Sequence, residues 1–519
     1  MTPSLETFKT QWEQGISQVL HCTVAGDVET PVAAYLKVAA DKPYNFLFES
    51  VEGGKFRGRY SFFGCDPDSL WRCDATQIDS AAVIQSLRAF IKDAAFPLPK
   101  ELPSMAAGVF GFLGYDMVRH IEKLPPQKPD ALNIPDAVLL RPSLLGVFDH
   151  VAETLQFFAP LYYDKAIAVE TAYQQGVAKL KSAVAALQQP LPENSYVRAS
   201  HLQRTGPLPA QGIRSEDAKM SRIPCAGRGP EIFEMTPQAN INAAASNPPT
   251  SNFSQSEFEI VVNTLKNYIK AGDIFQGVLS QRFSQPYHAA PFDLYRALRR
   301  LNPSPYLFYL NLGDFQLVGS SPEILVKVTD NTVTIRPIAG TRPRGKTPAE
   351  DTALAADLLN DPKERAEHLM LLDLGRNDVG RVATAGSVAV TQQYTIEHYS
   401  HVMHIVSQVE GTLGKNKDAL DALWAGFPAG TTSGAPKIRA MEIINDLETV
   451  KRSFYAGAVG YFSANGNMDT CIALRTALIK DGTLHVQAGA GIVADSNPTA
   501  EYIETCNKAK AILAAAQQV

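Results

Sequence analysis

Hydrophobic and polar positions change period several times along the chain, and the changes mark its elements. Between residues 7 and 189, strand-like runs at Asn45–Glu49, Tyr60–Phe63, Ala106–Phe112 and Ser143–Phe148 alternate with helical periods over Ala81–Ala94 and Ala166–Leu187. This pattern predicts an α+β domain over residues 1–189. From 190 to 252 the texture turns to proline, glycine, alanine, serine and asparagine with no sustained period, which predicts a linker or flexible insertion. Order resumes in a third segment, 253–519. There Ser254 and Glu257 read as a capping box, Phe258, Val261, Val262, Leu265 and Ile269 form one apolar face, and Gly272 ends the helix.

Strand-like runs follow at Phe275–Phe283, Tyr306–Leu310, Gln316–Val318, Ile324–Val328, Thr332–Pro337, Ala456–Phe462, Thr470–Ile479 and Leu484–Ala488. Turns are expected at Asp330-Asn331, Asn465-Gly466 and Asp481-Gly482.

At 519 residues the chain is long for one small core. A net charge of -5, with 19% charged residues and no basic cluster interleaved with aromatics, argues against nucleic acid as a partner. No apolar stretch approaches the roughly 20 residues that span a bilayer, and the N-terminus lacks a leader pattern, so a cytoplasmic protein is expected. Six scattered cysteines without a C-x-x-C pair favour reduced thiols.

Two glutamate pairs stand out. Glu364 and Glu367 share a helical face, and Glu501 and Glu504 repeat the spacing on an alanine-rich helical background. Brought together, such faces would call for a hard cation, Mg²⁺ first. Glu49/Glu52 and Glu231/Glu234 have the same spacing, so spacing alone favours a solvated helix face over a metal site.

Phe427–Met441 reads as a glycine-punctuated loop entering a helix, with Pro436 in the first turn and Ile438, Met441 and Ile444 inward. It suits an anion or a purely structural helix start. Gln487–Val493 offers amides bare of side chains at Gly489, Ala490 and Gly491. Arg475, in an apolar run, requires an anion, either an internal glutamate or a ligand carboxylate. His398, His401 and His404 lie in a β-rich run that places His404 with Val402 and Val406 on one face and His401 on the other, against a shared metal site.

The strings DIFQGVLSQRF, NPSPYLFYL, VGSSPEIL, PIAGTRPRG, DPKERAEHLMLLDLGRNDVGRV, AGTTSGAPKIRAMEII, GAVGYF, MDTCIALRT and QAGAGIVADS, in this order, resemble the chorismate-utilising enzymes, most closely the component I subunits of anthranilate synthases. The resemblance implies large antiparallel β-sheets packed in a sandwich with flanking helices. It further implies a cleft for chorismate and Mg²⁺, and a separate glutamine amidotransferase subunit delivering ammonia. By this resemblance Glu367 and Glu504 are Mg²⁺ ligands with Glu364 and Glu501 nearby. Gly340, Thr341, Tyr455, Arg475, Gly489, Ala490, Gly491 and Lys508 hold chorismate. Glu323 is the acid for the departing hydroxyl, and His404 and Thr431 match positions tied to later elimination.

Two positions bear on the product. Gln276 stands where water-adding relatives carry a lysine base, and Ala339 where aminodeoxychorismate synthases carry a nucleophilic lysine; both favour amination at ring C2. The expected product is therefore anthranilate with pyruvate, the committed step of tryptophan biosynthesis. An aminodeoxychorismate or isochorismate-type synthase and a catalytically silent tryptophan-sensing subunit are the alternatives. FLFESVEGG, with Glu49 and Ser50, together with Pro305, Tyr306 and Leu307, resembles a tryptophan-binding pocket of feedback-inhibited members. Gly277, Leu307 and Thr432 depart from residues common in the family.

Overall fold

A computed structural model provides the structure, which describes residues 1–52, 56–192, 248–399 and 402–519. The helix Gln255–Ala271 illustrates how local sequence sets an element. Ser254 and Glu257 close a reciprocal capping box, Phe258, Val262 and Leu265 are buried, and Gly272 ends the helix at φ +85°. The hairpin between Ile324–Thr329 and Thr332–Ile335 turns at Asp330 and Asn331, both at positive φ, as a tight two-residue loop requires. Asp481-Gly482 makes the same kind of turn between Thr476–Lys480 and Thr483–Ile492.

Twenty of the described strands form one extended antiparallel network with helices packed against it, and Val51–Glu52 pairs with Phe56–Arg57 in a separate two-stranded ribbon. The two halves of the sequence interleave in it: Asn45–Glu49 pairs with Tyr306–Asn311, and Gly108–Leu113 with Ala458–Ser463. Stacked aromatics seal this junction, Phe46 on Phe110 at 4.8 Å and Phe110 on Tyr461 at 5.4 Å between ring centres. The first eight residues of strand Gln276–Pro286 are all buried, the mark of a strand covered on both faces. It pairs with Thr483–Ile492 so that Ser280 faces Gly489 and Val278 faces Gly491. Helix Pro498–Ala516 packs over Thr483–Ile492, and helix Pro362–Gly380 packs over Ile338–Pro343 and Val402–Thr412.

Two details differ from the sequence reading. The apolar run Thr470–Ile479 is two strands, Met468–Ile472 and Thr476–Lys480, broken where Arg475 adopts φ +48°. The break lets the first strand pair with Ile324–Thr329 and the second with Phe315–Ser321; an unbroken apolar run carries no signal of it. In helix Lys437–Leu447, Met441 and Ile444 are buried but Ile438 is 45% exposed, because Ala440, Ile443 and Ile444 set the buried face and Ile438 falls on the opposite side. Pro436 is the residue before this helix and not within its first turn.

Candidate active site

The two glutamate pairs do lie on helices, and the charge of Glu504 reaches Glu367. Glu364 and Glu367 sit near the start of Pro362–Gly380, whose Asp361 side chain accepts from the Lys363 and Glu364 amides; Glu501 and Glu504 sit near the start of Pro498–Ala516, capped by Asn497. Burial pushes Glu367 towards its neutral form, opposed by the Gln276 amide and reinforced by the charges of Glu364 and Glu504. Burial likewise raises Glu501, with Glu504 adding to the shift. The Gln276 side-chain amide donates to Glu367 at 3.0 Å, Arg342 to Glu364 at 3.3 Å, and Lys508 lies 2.7 Å from Glu504. Among the described residues no three His, Cys, Asp or Glu stand close enough to hold a metal ion. Glu367 and Glu501, both raised by burial and by a neighbouring carboxylate, are the kind of oxygen donors that a hard cation would relieve.

Glu323 lies deeper than these glutamates. It is 7% exposed, and burial raises its carboxyl from 4.5 to about 8 against the opposing influence of Thr431, Lys508 and Arg475. The Thr431 hydroxyl donates to it at 3.0 Å. His404 Nδ1 lies 2.9 Å from the Gly340 carbonyl and 3.1 Å from the Thr341 hydroxyl. Burial lowers its basicity, so the ring is neutral near pH 7. With Nδ1–H donating to Gly340, Nε2 is left as a proton acceptor.

Arg475 makes no ion pair among the described residues; burial lowers its basicity, and Tyr399 and Glu323 offset this only from a distance. An unpaired arginine in such a place suits a ligand carboxylate. Around it the main chain is laid bare: a Cβ at Gly489 would come within 2.7 Å of the Tyr455 hydroxyl and one at Gly491 within 2.7 Å of the Gln276 amide. Ala490 lies between them in the same strand, and Lys508 reaches back to the Gly489 carbonyl at 2.9 Å. Gly340, at φ +71°, would bring a Cβ within 3.1 Å of Glu364. The structure therefore gathers Gln276, Gly340, Thr341, Glu367, Gly489, Gly491, Glu504 and Lys508 into one linked set, with Glu323, Thr431, His404 and Arg475 interacting beside it. Gly277 packs where a Cβ would lie 2.9 Å from Leu265.

A concavity of about 800 Å³ is lined in part by Glu49, Ser50, Pro305 and Tyr306. Its Glu49 is already occupied, accepting from Arg299 at 2.8 Å and from the Tyr295 hydroxyl at 2.6 Å. The Tyr306 hydroxyl donates to Asp469 at 2.8 Å. Leu307 is 1% exposed and packs into the core instead of lining the space; its backbone pairs with Glu49. Gly53 and Gly54 of the same string, and His401, lie outside the described residues.

Sequence reasoning missed Tyr399, which lines this cavity, donates to Glu397 at 3.1 Å, and sets its ring edge-on to His404 with centres 5.4 Å apart. Glu397 in turn accepts from Arg336. Its place beside the histidines was the available signal. Also missed were Glu448 and Arg452, whose i,i+4 spacing looks like an ordinary surface pair.

The sequence profile of the chorismate binding enzymes matches residues 43–514, so fold and site together define an enzyme of that class. The chain is 47% identical to anthranilate synthase component 1 of Cereibacter sphaeroides over 99% of its own length and 97% of that protein. It is 46% identical to anthranilate synthase component 1 of Pseudomonas putida over 96% and 94%. The crystal structure of anthranilate synthase component I from Streptococcus pneumoniae superposes with a TM-score of 0.71 at 35% identity, covering 94% of this chain and 98% of that one. The menaquinone-specific isochorismate synthase of Escherichia coli, at 18% identity over 99% of each chain, shares the fold with a TM-score of 0.67. The chain belongs to the anthranilate synthase component 1 family of chorismate-binding enzymes.

Proposed function

We propose that this chain converts chorismate and ammonia to anthranilate and pyruvate, in tryptophan biosynthesis, at the cleft between Glu323 and the Gly489–Gly491 strand. The observation that carries the reading is Glu323 itself. It is buried and proton-loaded at neutral pH, and it feels the charge of Arg475, an arginine with no ion pair among the described residues. Chorismate is a dianion, and Arg475, Lys508 and the bare amides of Gly489, Ala490 and Gly491 receive its carboxylates while Tyr455 and Gly340–Thr341 bound the ring.

Ammonia adds at ring C2 as the C4 hydroxyl departs, taking the proton of Glu323 to leave as water; the double bonds shift between the two carbons. Loss of a proton from the resulting ammonium group gives aminodeoxyisochorismate. In the second step the C2–H bond breaks as His404 Nε2 takes that proton, the C3–O bond breaks, the ring becomes aromatic, and the departing enolpyruvate takes up a proton at its methylene carbon to become pyruvate. Thr431 holds the Glu323 carboxyl in place. Gln276, a neutral amide turned to Glu367, cannot activate water as a base, which favours ammonia as the nucleophile. Glu367 and Glu504, with Glu364 and Glu501 beside them, would hold Mg²⁺, which when bound offsets the substrate's charge.

The component 1 name of the relatives implies a second component; a glutamine amidotransferase subunit would supply the ammonia. The cavity at Ser50, Pro305 and Tyr306 suits tryptophan as a feedback ligand, with Glu49 buttressing its wall, and residues 1–189 serve that regulation. The chain alone is expected to use ammonium salt and not glutamine as nitrogen donor; anthranilate formed from glutamine by the isolated chain would refute this division of labour.

A further inference from the structure

Behind the cleft lies a buried charged pair that the chemistry above does not touch. Glu448 and Arg452 are each 3% exposed. Arg452 donates to Glu448 twice, from Nε at 2.9 Å and Nη2 at 2.6 Å. It does more with its remaining N–H groups: Nη1 donates to the Thr432 carbonyl at 2.7 Å and Nη2 to the Val278 carbonyl at 2.6 Å. Its guanidinium carbon also lies 5.5 Å from the Tyr455 ring centre and 4.8 Å from that of Tyr115. Glu448 accepts from the Ser280 amide at 2.9 Å and its hydroxyl at 2.7 Å, and Ser280 is the residue paired with Gly489.

One guanidinium thus touches three walls of the cleft. Thr432 follows Thr431, which donates to Glu323. Val278 pairs with Gly491. Tyr455 stands over Gly489. Replacing a buried ion pair by apolar residues of equal volume is often neutral or stabilising, so stability alone is a poor reason for this one. Its planar fork supplies what apolar packing lacks, directional bonds to several strands at once. We propose that Arg452, held by Glu448, is a positioning residue for the amination step, fixing the short helix Gly430–Ser433 that carries Thr431 against strand Gln276–Pro286, which pairs with the strand of Gly489 and Gly491; this rests on the roles given above to Glu323 and Thr431.

Lysine at 452 keeps the charge but has one nitrogen, which cannot reach Glu448, Thr432 and Val278 in this geometry. The test is a cycle of Arg452→Lys, Thr431→Val and the double variant, with kcat and KM for chorismate measured at saturating ammonium and Mg²⁺, and folding followed by thermal denaturation. Each single change is expected to lower kcat by about 10- to 100-fold with KM within about 3-fold, and the double to lie within about 3-fold of the worse single, because both act through one hydrogen bond. Should Arg452→Lys not fold, Glu448→Gln, which keeps volume and one acceptor, takes its place in the cycle. A fall in Thr431→Val with none in Arg452→Lys, or effects that multiply in the double, would overturn the inference alone. An unchanged kcat in Thr431→Val would withdraw the role of Thr431 and the inference with it.

Discussion

Replacing Glu323 with glutamine tests the acid directly, since the amide keeps the shape and loses the transferable proton. With its carboxyl raised to about 8, the wild-type side chain carries its proton in a ratio of about ten to one at pH 7. Positioned general acids contribute about 10²- to 10⁴-fold, so Glu323→Gln should lower kcat for ammonia-dependent anthranilate formation by that range while KM for chorismate changes little. The wild-type rate, expressed per free ammonia, should fall above about pH 8 as the proton is lost. Thr431→Val removes an interaction that holds the value down, so this limb should move to higher pH. The same group predicts a stability effect. Between 4.5 and about 8 the folded state holds a proton that the unfolded chain has released, so stability of the ligand-free protein falls as pH rises through that window. Glu323→Gln should flatten this slope. Anthranilate fluorescence and thermal denaturation across pH 5 to 9 measure both; a variant within about 3-fold of wild type, or an unchanged alkaline limb, would refute the reasoning.

Glu504→Gln should leave the fold intact, since the side chain is half exposed, yet raise the Mg²⁺ concentration for half-maximal activity at least about 10-fold; a normal Mg²⁺ titration would exclude it as a ligand. Arg475→Lys should raise KM for chorismate by about 10- to 100-fold through loss of bidentate contact, with equilibrium binding as the check. Ser50→Phe should fill the cavity mouth and abolish tryptophan inhibition while sparing kcat, and unchanged inhibition would remove Ser50 from that role.

Much of the fold was written locally. The Ser254 capping box, the Gly272 stop and the Asp330-Asn331 turn are decided by neighbours in sequence, and each forms as read. The glutamate pairs were legible as helical faces, but the reach of Glu504's charge to Glu367 depends on two helices separated by more than a hundred residues. Glu323 shows the same limit: the letters SSPE mark it, whereas its carboxyl is raised by burial in the folded chain and held back by Thr431, Lys508 and Arg475, all distant in sequence. The break at Arg475 and the interleaving of the two halves were invisible to periodicity, because an apolar run reads alike whether it enters one sheet layer or two. Arg452 was missed because an i,i+4 pair reveals nothing of what surrounds it.

The central claim is amination at ring C2 followed by loss of pyruvate. Its most direct test is the product of the isolated chain with chorismate, Mg²⁺ and ¹⁵N-ammonium, followed by NMR. Anthranilate labelled on the amine ortho to the carboxylate, with pyruvate in equal amount, is the expected result; a 4-amino product, or an unlabelled hydroxylated one, would contradict it.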